Sequence, residues 1–103
     1  MTRGPKQGKG GYVYIMGNKT QTVLYTGVTA NIEGRVWEHK NDKGGAFTSQ
    51  YECNRLLYFE SYDSIRAAID RESQIKNWNR GWKIALIEKN NPLFEDLAEA
   101  WFT

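Results

Sequence analysis

The chain lacks the residues that build disulfide staples and metal cages. It has one cysteine, Cys53, and one histidine, His39, which excludes an intrachain disulfide and a structural zinc site within the chain. Cys53 precedes an apolar run and reads as a buried thiol. No apolar stretch approaches the length of a membrane-spanning helix, and the N-terminus lacks a signal-peptide core. The expectation is a soluble, cytoplasmic protein without a membrane partner. Charge of one sign is also scarce. The formal net charge is +2, and Arg3, Lys6 and Lys9 fall in residues 1–10, which hold no acid. Taking these three from the 14 bases leaves 11 against 12 acids. A broadly basic nucleic-acid surface is therefore excluded, and any such surface must be local.

What the chain does have is rings: four Trp, six Tyr and four Phe in 103 residues. Bulky aromatics let one small domain bury much apolar area per residue. Residues 1–10, rich in Gly and Lys, read as a disordered basic arm, and residues 11–103 as a single domain. The β-branched and aromatic runs 12–16 and 22–28, separated by Gly17-Asn18-Lys19-Thr20-Gln21, predict a β-hairpin. Thr29 or Asn31 caps a helix reaching about Lys40, with Ile32 and Val36 as its apolar stripe. Residues 41–45 read as a loop and 53–60 as a third strand. Asp63 or Ser64 caps a long helix through Trp78, which Asn79-Arg80-Gly81 breaks. A further helix covers about 82–89. Asn91-Pro92, an N-cap with proline at the first helical position, predicts a short last helix. The fold class is α/β (α+β), a three-stranded antiparallel sheet flanked by helices in the order β-β-α-β-α-α-α.

The long helix contains an anomaly. Ile65, Ala68, Ile69, Ile75 and Trp78 mark its apolar face at spacings of three, four and seven. Glu72 falls on that same face, where a carboxylate is costly unless it is paired, hydrogen-bonded or bound to a cation. A semi-buried salt bridge is the plain explanation, and a metal ligand at the core's edge is the functional one.

A second pattern involves Tyr14, Tyr25, Arg35 and His39. Two tyrosines on adjacent strands can meet an arginine and a histidine one helical turn apart. Phenols and an imidazole suit proton transfer, and a guanidinium suits a phosphate. With Tyr12-Val13-Tyr14, Tyr25-Thr26-Gly27, Glu72 and the helix stretch Arg71-Glu72-Ser73-Gln74-Ile75-Lys76-Asn77-Trp78, the chain resembles the GIY-YIG nuclease superfamily. It is most similar to the small stand-alone bacterial GIY-YIG proteins, which look like an isolated excinuclease C nuclease domain. The likeness runs from about Gly11 to the C-terminus. Two departures affect strand packing and remove no chemical group. Tyr12 stands where the first element has glycine, with Gly11 just before it, and Thr26 stands where the second has an apolar residue.

The resemblance implies a divalent-metal-dependent endonuclease acting on DNA or possibly RNA, with a place in DNA repair. One Mg²⁺ (or Mn²⁺) would be held by Glu72, with water and substrate filling the other positions. Tyr14 would orient or deprotonate the attacking water, and Tyr25 would hydrogen-bond a phosphate oxygen or help position the water. Arg35 would pair with the scissile phosphate, and His39 would relay a proton or position Tyr14. Asn91 matches a site asparagine of the family, although an N-cap explains it equally well. Lys43, Thr48, Lys76 and Arg80 are further candidates for backbone phosphates.

Two other readings stand beside the nuclease. One is a nucleic-acid-binding module with weak or no cleavage, using the arm and the bases Arg66, Arg71, Lys76, Arg80, Lys83 and Lys89. The other is a non-catalytic interaction protein presenting Trp37, Trp82 and Trp101. The complete set Tyr14, Tyr25, Arg35 and Glu72 favours the enzyme. With no attached DNA-binding domain, selection by nucleic-acid structure, or targeting by a partner protein, is expected rather than sequence recognition.

Overall fold

Alternation of side chains on Gly11–Gly17 sends Tyr12, Tyr14 and Met16 to one face of strand β1 and Val13 and Ile15 to the other. The computed structural model describes residues 10–102. The expected arm falls outside these residues except for Gly10, which is buried against the backbone of Tyr62 and Asp63. β1 pairs antiparallel with β2 (Leu24–Thr29), Tyr14 opposite Gly27, and with β3 (Arg55–Tyr62), Tyr14 opposite Phe59. The strand order is β2-β1-β3, so the first strand of the chain is the central one.

Helix α1 (Ile32–Lys40) packs on the Tyr14 face through Ile32 and Val36. Its N-cap is Asn31, whose side chain accepts from the Gly34 amide. Helix α3 (Ile65–Lys76), capped by Ser64, lies on the opposite face across β1 and β2. Helix α4 (Arg80–Asn90), capped by Asn79, adds Ile87 to that second core. The expected caps Asn31 and Ser64 are thus the ones used. The apolar stripe of α3 is narrower than its spacing predicted. Ala68, Glu72 and Ile75 are buried, whereas Ile65 and Ile69 are each 40% exposed.

The element order departs from expectation at two places. A short helix α2 (Ala46–Gln50) precedes β3, giving β-β-α-α-β-α-α. No helix follows Asn91; residues 91–102 run as turns. The reason lies in Asn91 itself. Its amide nitrogen donates to the carbonyls of Leu57 (3.0 Å) and Glu95 (2.8 Å), and its oxygen accepts from the Glu95 amide (3.0 Å). Leu57 is the extra residue of a β-bulge opposite Ile15 and Met16, so its carbonyl needs a partner from outside the ladder. A helical N-cap geometry at Asn91 would forgo these bonds. Asp96 completes the clasp, accepting from the Leu56 and Ala98 amides (3.0 and 3.1 Å) and pairing with Lys40. Leu97 N donates to Leu56 O (2.8 Å), so the C-terminal turns cover the outer edge of β3.

On the α3 side, Glu60 accepts from Tyr58, from Tyr62 (2.6 Å) and from Arg71 Nε (2.7 Å), and the Arg71 guanidinium lies 5.1 Å from the Trp78 ring centroid. Burial alone would raise the Glu60 pKa, but these three donors outweigh it and hold the carboxyl below its usual range. This network ties β3 to α3.

Candidate active site

Tyr14 is held at the centre. Its ring is 1% exposed and lies over Gly27. A Cβ at Gly27 would stand 2.5 Å from both Cζ and the hydroxyl oxygen of Tyr14, so glycine is the residue that admits the ring. Tyr25, on the same face, has its ring 6.4 Å from that of Tyr14. Helix α1 brings in the other partners. His39 Nε2 is 2.9 Å from the Tyr14 hydroxyl, and the positive charge of the Arg35 guanidinium acts on that phenol. Arg35 is fixed by Glu38 (2.8 Å) and by the Gly44 carbonyl (2.8 Å). The structure therefore brings Tyr14, Tyr25, Arg35 and His39 together.

The Thr48 hydroxyl stands 3.2 Å from His39 Nδ1 and 3.3 Å from the Gly45 carbonyl, and it has one proton to give. In the tautomer in which that proton goes to the carbonyl, Nδ1–H donates to Thr48 and Nε2 accepts from the Tyr14 hydroxyl. Tyr14, His39, Thr48 and Gly45 thus form one linked chain. Electrostatics keep it neutral at rest. Burial pushes the Tyr14 pKa up to about 12, against the lowering effect of Arg35. Burial, with the Arg35 charge beside it, lowers His39 to about 4.

His39 being the only histidine, its titration is visible in stability. An unfolded histidine takes a proton near pH 6.5, whereas the folded one resists until about pH 4. Between these values the unfolded state binds more protons, so stability is fully present above the upper pH and falls as pH drops through the window. A loss on the order of 2 kcal/mol is expected, allowing for solvent screening. Denaturant unfolding at pH 7 and 5 would show it, and His39→Gln should flatten that segment. An equal slope in the variant would show that the imidazole is not held neutral.

Glu72 approaches from α3. It is 8% exposed, and Lys76 Nζ sits 2.9 Å from its Oε2, so the expected salt bridge is present. The pair also touches the tyrosines electrostatically, Glu72 acting on Tyr14 and Tyr25 on Lys76. Among the described residues no group of three or more His, Cys, Asp or Glu could cage a metal. One buried carboxylate fits an ion such as Mg²⁺, which commonly takes one or two protein carboxylates and completes its shell with water and phosphate oxygens.

The remaining expected residues divide. Lys43 is exposed on the loop after α1. Thr48 is 2% exposed and engaged with His39, so it is not the surface phosphate contact the sequence predicted; α2 turns it inward. Lys76 is occupied by Glu72, and Arg80 donates to the Gln21 carbonyl in the β1–β2 turn. Asn91 is clasped to β3 and the C-terminal turns, with bonds to neither Tyr14, Arg35 nor Glu72. Sequence reasoning missed Glu38 and the Gly44 and Gly45 carbonyls, because their roles depend on how α2 folds back. It also missed Phe47 and Tyr51, whose i, i+4 spacing was the available signal.

Comparison with known proteins gives this constellation a family. The GIY-YIG catalytic domain matches residues 10–85. The UPF0213 protein of Syntrophus aciditrophicus is 42% identical over 80 residues, covering 77% of this chain and 91% of the relative. That of Haloquadratum walsbyi is 37% identical over 82 residues, covering 80% and 91%. The solution structure of the UPF0213 protein of Bacillus halodurans superposes with a TM-score of 0.54 at 27% identity, covering 90% of this chain and 98% of that one. With the tyrosines, arginine and glutamate in place on a three-stranded sheet of this kind, the chain belongs to the GIY-YIG family, among its small UPF0213 members.

Proposed function

We propose that this protein is a divalent-metal-dependent endonuclease that hydrolyses DNA phosphodiester bonds and selects its substrate by structure rather than sequence. The observation that carries the reading is the hydrogen-bonded chain Tyr14–His39–Thr48, with the Arg35 charge acting on the same phenol. A standing phenolate is not available near neutral pH from a group held at about 12. Tyr14 instead orients the attacking water and accepts its proton while passing its own to His39 Nε2. Water thus loses a proton, the phenol stays neutral overall, and the imidazole is transiently charged. The nearby Arg35 charge makes that imidazolium short-lived. Arg35 presents its fork to the scissile phosphate, where two oxygens can be gripped. Tyr25 donates a hydrogen bond to a phosphate oxygen. Mg²⁺ or Mn²⁺, held by Glu72, would neutralise charge developing on the phosphate and leaving oxygens. His39, Thr48 and Glu38 act as positioning residues, and Asn91 as a structural clasp.

A second reading, a binding module with weak cleavage, draws on one observation: Lys76 occupies the Glu72 carboxylate and must give way before a metal can use it. Labelled single-stranded, duplex, nicked and branched DNAs, with an RNA control, separate the two. Cutting with Mg²⁺ or Mn²⁺ that stops in EDTA and is lost by roughly a hundredfold or more in Arg35→Ala is expected. Binding without cutting under every metal condition would overturn the enzyme in favour of the module.

A further inference from the structure

A line of rings leads out of the site. Tyr25 stands between His39 (centroids 5.5 Å apart) and Phe47 (6.1 Å), and Phe47 stands 4.9 Å from Tyr51. Phe47 and Tyr51 are 47% and 42% exposed. They share the outer side of α2, because Thr48 faces inward to His39 and the helix is pinned by Ser49 Oγ on Asp42 O (3.1 Å) and Cys53 N on Thr48 O (2.9 Å). The helix orientation is thus fixed by the site itself, and it turns two large rings to solvent on the segment whose Gly44 carbonyl holds Arg35.

We propose that Phe47 and Tyr51 form a stacking platform for an unpaired nucleobase next to the scissile phosphate, so that the site takes single-stranded or locally unpaired nucleic acid. This rests on the nuclease reading and on Arg35 as its phosphate contact. The occupant follows from the chemistry of the two halves. A pair of exposed tilted rings, joined through Tyr25 to the site that holds the guanidinium, matches a ligand with a π-face and an anion one bond system away, which is a nucleotide. An apolar protein segment would match the rings and make no use of the guanidinium. Bases inside a duplex have their faces covered by their neighbours, so they reach such a platform only after unstacking. Discrimination therefore arises without any base-edge contact, consistent with selection by structure.

The test measures affinity for a labelled single-stranded oligonucleotide and its duplex in EDTA, across a salt series. Wild type is expected to prefer the single strand. Phe47→Leu should weaken single-strand binding roughly 5- to 50-fold, with duplex binding and the salt slope unchanged, because stacking releases no counterions. Phe47→Trp should restore the affinity, its indole emission changing on binding. Arg35→Ala should weaken both substrates and flatten the salt slope by about 0.7–0.9. Tyr51→Leu repeats the test should Phe47→Leu unfold. Equal single-strand affinity in a folded Phe47→Leu or Tyr51→Leu, or parallel losses on both substrates, would overturn the platform alone. No binding of either substrate by wild type would overturn the nucleic-acid reading beneath it as well.

Discussion

Glu72→Gln should lose metal-dependent cleavage by about 10²–10³-fold or more while unfolding at nearly the wild-type temperature. Two roles compete for this carboxylate, and their magnitudes separate them. As the partner of Lys76 it belongs to an i, i+4 pair whose lysine is 53% exposed, a pair worth about 0.3–0.5 kcal/mol. Glutamine keeps the shape, so the surface of α3 against the sheet is undisturbed. As the proposed protein ligand of a metal, Glu72 acts as a lone carboxylate, since no group of three or more His, Cys, Asp or Glu stands among the described residues. Lys76→Met provides the reciprocal arm. Freed of its ammonium partner, the carboxylate should bind Mn²⁺ more tightly, as read by calorimetry or by the metal concentration giving half-maximal cutting. Glu72→Gln cutting at the wild-type rate would reduce the residue to a helix salt bridge.

Gly27→Ala is expected to cut about a hundredfold more slowly with a stability loss of roughly 1–3 kcal/mol. The new methyl would lie 2.5 Å from the Tyr14 hydroxyl oxygen and 2.9 Å from Cε1. A flexible exposed side chain would move aside cheaply. Tyr14 has no such freedom, because its ring is walled in beside Met16, Ile32 and Val36 and its hydroxyl is held by His39. The accommodation therefore falls on the phenol oxygen, the atom proposed to meet the attacking water, and a displacement near 1 Å suffices for this loss. Oligonucleotide affinity in EDTA should stay within a few-fold, since Arg35 and α2 are untouched. A folded Gly27→Ala protein with the wild-type turnover would place the reacting water somewhere other than Tyr14.

The three strands and three of the four helices were legible because their signals are local: β-branched and aromatic runs at 12–16 and 22–28, Asn31 and Ser64 as caps, and apolar spacing on α3. Glu72 stood out for the same reason, as a charge on an apolar stripe. What escaped was tertiary. Helix α2 has five residues, too few to nucleate on propensity, and exists because Thr48 reaches His39 and Arg35 reaches the Gly44 carbonyl. Asn91-Pro92 carries the text of a helix start, yet a β-bulge carbonyl distant in sequence captures the asparagine first. Lys76 looked like a free base for phosphate because its partner, one turn back, was weighed separately from it.

The place of β1 has a kinetic consequence. The first strand to emerge in the chain is paired on both sides, and its ladder with β3 joins Gly11 to Tyr62. Such a strand cannot be completed until the distant segment arrives, a high-contact-order closure that tends to set the pace of folding. Once closed, its amides point to β2 or to β3, and each is protected from solvent until the ladder it belongs to opens. Helix α2 has no ladder and is held instead by single bonds to its surroundings, Thr48 to His39 and Ser49 to Asp42. The phenol proposed to meet the water and the rings proposed to meet a base thus rest on different restraints, one a strand paired on both sides and the other a short helix docked on the site.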